Sequence, residues 1–587
     1  MYVKRATVKR GGNSYVYLRL VQAYRQDGKV RHRVIANLGR EDELKASGQL
    51  DQLAASFARL DPPPWGTRRE VGSLLLVCHY LDRLGLVKLV DDAIPQRGRA
   101  QLTHGEVVAA LVANRLSAPA PLYDVAGWAS SAAVHELLDT PAALLGDDRL
   151  GRALEAFAPV AETVRGAAML AAIGEFGADA ARLHLDLTTL TVSGAYPGSD
   201  LVGKGWNSSR TVQRQVRVLA ASNHTGVPLY VRPHPGSAAE LTCLGQAMDD
   251  LAGLLPPGLL VVADAALGHW KNLREVDRAG LRCIVPLRES TGYFDRFLTE
   301  VGHDALRPVR YVSRREAHLP AHRRTHYRAA LREWDLTDPK TETVHRFRVA
   351  YIHSSEEART VAEARQRALA KAEADLARVH RGLGGQHYKT PQQVQARVNR
   401  IIGPNVHGLL TVSVGDGTGG GDARPTLTWQ RDHSAIDTAA QHDGIYALAT
   451  NLPGHLTAGT VLRLYKDQHL VELAHRANKG VLNVRPIFLH NDDRITALIS
   501  IVGLALLIYG LIETDLRHAL GPDQHLPGLL PEGRAARPTG RNILTAFQRL
   551  GATYTPNGLR LDQLTATQRT ILDHLNIGLP WPEQGQT

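Results

Sequence analysis

The stretch that most constrains this chain is residues 495–512, eighteen residues without a charge. A helix apolar on every side must be wrapped by protein or by lipid, and eighteen residues reach the lower limit for crossing a bilayer. Thr496, Ser500, Gly503 and Gly510 interrupt the run, and it stands alone deep in a polar chain. We therefore read it as the buried helix of a large core, with no membrane partner.

At 587 residues the chain is long enough for several domains. Lys and Arg exceed Asp and Glu by 69 to 58, and this excess favours a polyanionic partner. Cys78, Cys243 and Cys283 are far apart and form no CxxC pair, so neither a zinc site nor a disulfide framework is indicated and a reducing compartment fits. The N-terminus, MYVKRATVKRGG, lacks the apolar core of a signal peptide. A cytoplasmic, nucleoid-associated protein is expected.

Residues 1–60 read as a basic hairpin and a helix. The first forty carry ten Lys and Arg against one Asp, and Asp27-Gly28 between two β-type runs is a hairpin signal. A basic hairpin bearing tyrosines suits a DNA backbone, and a solvated basic hairpin is the plain alternative. Asp61-Pro62-Pro63-Pro64-Trp65 marks a linker. From 71 to 176 apolar residues recur at three- and four-residue spacing, which predicts a helical domain, read as DNA-binding.

At 181 the texture changes. LHLDLTTLTVSG, VQRQVRVLAASN and VPLYVRPH read as strands, 242–255 as an amphipathic helix, LLVVADAAL as a buried strand, then a helix over 272–279 and the strand LRCIVPL. That order predicts a mixed α/β sheet with helices on its faces over 181–288. Residues 289–442 interrupt it with strand-like pieces and a long charged helix over 355–383. The turn DGTGGGDA lacks a following Gly-Lys-Ser/Thr, so it reads as a hairpin loop and not a phosphate loop. Sheet texture resumes over 443–520 with GIYALATNL and two long helices, 457–478 and 493–516. The tail, 521–587, is polar and Pro-rich with helical pieces.

Two carboxylates stand out because they sit in apolar strands: Asp186 in LHLDL and Asp264 after LLVVA. A carboxylate in such a setting is costly unless paired, hydrogen-bonded or bound to metal. Glu472 lies on a helix face with Tyr465, Gln468, His475, Arg476 and Lys479, a face suited to holding a metal beside phosphates. Ordinary ion pairs on a solvated face are the plain alternative. Phosphodiester cleavage needs a deprotonated nucleophile and develops charge on the leaving oxygen; two divalent ions about 4 Å apart stabilise both. Hard Mg²⁺ takes carboxylate oxygens, water and phosphate. Histidines 184 and 269 read as hydrogen-bonded neighbours, and Lys204 and Arg217 as phosphate contacts or surface charges.

The helix YKDQHLVELAHRANK resembles the signature of bacterial insertion-sequence DDE transposases of the insertion-sequence-four group: Tyr, two residues, Arg, three residues, Glu, six residues, Lys. Tyr465, Glu472 and Lys479 match; the Arg position is Gln468. Asp186-Leu187-Thr188 resembles the family's Asp-x-Thr strand, and Val262-Ala263-Asp264 its second aspartate, where Ala265-Ala266 replaces the usual Arg-Gly. The spacing fits, 78 residues from Asp186 to Asp264 and 208 from Asp264 to Glu472, with an insertion ahead of the glutamate.

The resemblance implies a ribonuclease-H-like catalytic domain, a mixed five-stranded sheet with flanking helices, interrupted by the β-rich segment 289–442. It implies Asp186, Asp264 and Glu472 as catalytic residues and ligands of two Mg²⁺, which Mn²⁺ can replace. Tyr465, Arg476 and Lys479 would contact DNA. The implied partners are terminal inverted repeats and target DNA, bound by a homodimer on paired ends. In the insertion, Trp334 or Trp429 could stack a flipped base, although a core role is the plainer reading. An inactive DNA-binding relic and another ribonuclease-H-like nuclease are the rival readings.

Overall fold

The computed structural model describes residues 2–10, 13–26, 29–47, 64–95, 100–206, 211–255, 257–265, 267–313, 316–338, 341–404, 406–416, 424–466, 489–521 and 524–585. The basic N-terminal run forms three antiparallel strands, β1 (Tyr2–Arg10), β2 (Asn13–Gln26) and β3 (Lys29–Arg40), followed by a helix, Glu41–Ala46. Thus the expected hairpin is present with a third strand added at its edge. A short strand, β4 (Arg68–Glu70), then leads into helices that include Leu74–Leu84, His104–Ser117, Asp147–Phe157 and Ala161–Phe176. The helix His104–Ser117 starts where its sequence says it should, on a capping box between Thr103 and Glu106.

The large sheet begins with β5 (Arg182–Thr191), β6 (Gly203–Trp206), β7 (Val212–Asn223) and β8 (Pro228–His234), paired antiparallel around β7. After the helix Glu240–Leu254 comes β9 (Leu260–Val262), parallel to β5. After the helix Trp270–Arg278 comes β10 (Arg282–Pro286), parallel to β9. The spatial order β8–β7–β5–β9–β10, three antiparallel strands and then two parallel ones reached through helices, is the ribonuclease-H-like arrangement. Each helical crossover is what a parallel neighbour requires.

The interruption does not stay outside this sheet. β11 (Arg307–Val309), β12 (Tyr327–Thr337), β13 (Val344–Ser354) and, past the hairpin β14 (Leu410–Gly415) and β15 (Thr426–Arg431), β16 (Ile445–Thr450) extend it beyond β10. Ten strands are joined in this way among the described residues. Between β13 and β16 the helices Ser355–Arg381 and Pro391–Ile401 pack with β14 and β15 around their own core of Leu369, Leu376, Val394 and Val398. Trp429 packs against that core. Trp334 meets Trp270 edge to face at 4.3 Å, with the Arg296 guanidinium 4.0 Å from its ring centre.

The long apolar helix runs over Asp492–Leu520, and its most apolar stretch is 89% buried. Asn491 caps it by accepting from the amides of Asp493 and Arg494. Its far half lies between the helices Ala161–Phe176 and His104–Ser117 and the strand β8, and forms the centre of the main core. Gly503 and Gly510, seven residues apart, face β8: a Cβ on Gly503 would stand 3.0 Å from Val231 Cβ, and one on Gly510 3.1 Å from Val227 Cα. Glycine within a helix costs up to about 1 kcal/mol against alanine, so close approach is the reason for it here. Gly503→Val is expected to destabilise the chain by about 1–3 kcal/mol through overpacking, read from the denaturant midpoint; an unchanged midpoint would refute this packing.

The tail folds back. A helix, Gly540–Phe547, the hairpin β17 (Gly551–Thr555) and β18 (Gly558–Leu561), and the helix Ala566–His574 close the chain. β17 pairs with β4, Ala552 opposite Arg69, so the last strands sit beside the first turn of the helical region.

Candidate active site

On β5, Leu183, Leu185 and Leu187 point into the main core, while His184 and Asp186 point to the opposite face of the sheet. On β9, Val261 joins the main core and Leu260 and Val262 the opposite face. The two strands run parallel in the register Arg182–Leu260, Leu183–Val261, His184–Val262. The pairing ends at His184–Val262; Asp186 lies two residues further along β5, and Asp264 two residues past the end of β9. The 78-residue interval is therefore the offset of the β5–β9 pairing itself. Asp186 is half-buried within its strand, and Asp264 is exposed just past the end of β9. A strand end lets a carboxylate keep its charge in water while the strand below is apolar.

A third carboxylate shares this neighbourhood. Glu240 opens the helix Glu240–Leu254. Burial pushes its carboxyl above the ordinary value, Asp264 and Asp186 push the same way, and Arg288 and Arg217 oppose them. The Arg288 guanidinium is 3.7 Å from the Glu240 carboxylate. Its Nε also donates to the carbonyl of Ala265 at 2.6 Å, and the Arg288 amide donates to the carbonyl of Gly268. A Cβ at Gly268 would collide with the Pro286 carbonyl, so the turn after Asp264 lies directly on the end of β10. Among the described residues no group of three or more His, Cys, Asp or Glu is close enough to hold a metal ion. Glu240 was not foreseen; its only sequence signal is a carboxylate in the first turn of an amphipathic helix. Arg288 has no local signal.

Tyr465 lies in the helix Ala458–Lys466, whose Val461 and Leu462 pack with Leu260 and Val262 on the face that carries the aspartates. The Lys466 ammonium is 5.6 Å from the ring centre of Tyr446 and 5.8 Å from that of Tyr327. Glu472, Arg476 and Lys479, together with Gln468, lie outside the described residues. The chain resumes at Leu489, which packs with Val216, Val218 and Ala220 of β7, again on that face.

His184 is buried and both ring nitrogens have no hydrogen-bond partner among the described residues; burial holds its imidazole down at about 3, with Arg182 and His224 acting the same way. His269 caps the helix Trp270–Arg278, its Nδ1 accepting from the Lys271 amide. Lys204 is exposed on β6.

His234, at the end of β8, is 2% exposed. Burial pushes its imidazole down to about 4; Arg232 and Arg165 add to this, and Gln246 and Asp250 oppose it. The unfolded chain takes up the proton near 6.5 and the folded chain near 4, so stability is full above 6.5 and falls as pH drops between them. The expected loss at pH 4 is about 3 kcal/mol from this residue, at about 1.4 kcal/mol per unit. His234→Gln should flatten the pH dependence of the melting midpoint across that window; an unchanged slope would refute this.

Residues 3–63 match the IS1634 family transposase N-terminal domain, residues 67–163 match a domain of unknown function, DUF4277, and residues 183–508 match the transposase DDE domain. No curated protein matches. Among solved structures, a piggyBac transposase synaptic complex with hairpin DNA is similar over 89% of each chain, at 10% identity and a TM-score of 0.36. DDE domains of this kind generally use divalent metals. The DDE match spans more than half of the chain and covers both Asp186, on β5, and Asp264, just past β9, so this chain belongs to the insertion-sequence DDE transposases, enzymes that act on DNA.

Proposed function

We propose that this transposase cuts and joins DNA at the ends of an insertion sequence, using two Mg²⁺ held by Asp186, Asp264 and Glu472. The observation that supports the reading is the parallel pairing of β5 with β9, which brings the strand bearing Asp186 beside the strand that Asp264 follows. The donors are carboxylate oxygens, which suit a hard cation that keeps part of its water shell. Such ions would lower the pKa of an attacking water or hydroxyl and stabilise the leaving oxygen.

Glu472 follows Lys466 by six residues, within about 20 Å of extended chain. The chain before and after this interval packs on the aspartate-bearing face, which supports Glu472 as the third ligand. Arg476 and Lys479 would hold phosphates, with Tyr465 beside them. The family arginine absent at Ala265 has a spatial counterpart in Arg288, whose guanidinium reaches the same turn; this favours an active enzyme over a relic. Within the same reading, residues 1–60 and 71–176 engage DNA, 181–288 and 443–520 form the catalytic unit around the insertion 289–442, and 521–587 closes the chain. Two copies act on paired ends, in the cytoplasm on nucleoid DNA.

The test is a purified chain mixed with a labelled duplex carrying the element's own end, with Mg²⁺, Mn²⁺ or EDTA. Cleavage at the end with either metal and none in EDTA is expected. Binding without cleavage in both metals would overturn the reading in favour of a relic.

A further inference from the structure

A cleft lies where the tail meets the helical region. Its cavity, about 990 Å³, is walled by residues 68–74, by the end of the helix His104–Ser117 with the turn to Pro119, and by the helix Gly540–Phe547 with Gln548–Leu550. Four arginines line it, Arg68, Arg115, Arg541 and Arg549, against one carboxylate, Glu70. Arg68 is held by Asp562 from β17–β18 and the turn after it.

The other three have no carboxylate partner among the described residues. Arg115 is 7% exposed and donates to the Ala120 carbonyl and the Asn114 side chain; burial alone lowers its pKa. Arg541, on the helix Gly540–Phe547, and Arg549, just past its end, are exposed and line the cavity with Thr545 and Gln548. Guanidiniums gathered around one opening repel each other unless an anion lies between them, and their planar fork matches phosphate oxygens. The cavity is far larger than a single ion needs.

We propose that this cleft grips the phosphodiester backbone of the DNA on which the transposase acts, away from Asp186 and Asp264. The inference rests on the chain acting on DNA. It gives the DUF4277 region a role, as one wall of a backbone clamp whose other wall is the tail. Contacts of this kind position DNA without reading its sequence.

The test is fluorescence anisotropy of the full chain in EDTA, so that cleavage plays no part, with a labelled duplex carrying the element's end and with an unrelated duplex, across a salt series. The double variant Arg541→Gln, Arg549→Gln is expected to bind both duplexes at least about tenfold more weakly. Its log–log salt slope should fall by about 1.8, at about 0.9 per lost phosphate contact. The paired lysine variant should recover most of the affinity. Arg534→Gln, on the same tail outside the cleft, should bind like wild type. A double variant within about twofold of wild type with an unchanged slope would overturn the clamp while leaving the DNA-acting enzyme intact. A wild-type chain that binds neither duplex would overturn both.

Discussion

Asp264→Asn is expected to abolish metal-dependent cleavage at the element's end while duplex binding stays within a few-fold of wild type. Asparagine keeps the shape of the side chain and removes the charge that would hold a divalent ion. Asp264 is exposed beyond β9, so the change creates neither a cavity nor a buried unpaired group. The turn behind it stays fastened through Arg288, whose Nε donates to the carbonyl of Ala265. Metal stabilisation of the transition state is worth several kcal/mol, and about 1.4 kcal/mol is tenfold in rate. Single-turnover cleavage should therefore fall on the order of a thousand-fold or more. Asp186→Asn and Glu472→Gln should fall as far, and combining two of them should add little, since residues acting as a unit are not additive. Cleavage by Asp264→Asn within tenfold of wild type would remove Asp264 from the metal site.

Ile508→Ala is expected to cost about 2–5 kcal/mol, the usual range for cutting a large aliphatic side chain in a packed core. Ile508 is fully buried near the centre of the helix Asp492–Leu520, within the core shared by the helical region and the sheet. The loss should appear as a lower midpoint in chemical denaturation followed by circular dichroism. Because the same helix also lines the aspartate-bearing face through Ile495 and Ile499, cleavage should become temperature-sensitive in this variant. An unchanged midpoint would mean that the helix is not packed as described.

The local features were legible in the residues themselves. A run of eighteen without a charge had to be wrapped, and it is, by helices on one side and β8 on the other. Alternation in LHLDL placed Asp186 on the face away from its leucines, and the strand-like runs LLTVSVGD and TLTWQRD do pair, as β14 and β15, although the glycine-rich residues 417–423 between them lie outside the described residues. These features depend on side-chain period and turn chemistry, which act within a few residues.

What the tertiary structure alone decided are the contacts made across long intervals of chain. The segments bearing Asp186 and Asp264, 78 residues apart, became neighbours only once β5 and β9 paired in parallel. Arg288 reached the turn at Ala265 because β10 runs beside β9, and β11, β12 and β13 joined the main sheet because β16 offered them an edge. The arginine cleft brings residues 68 and 115 to residues 541 and 549 through the pairing of β4 with β17. Sequence period specifies which face of an element is apolar, but partner and register are chosen by burial summed over the whole core, and so they appear only in the folded chain.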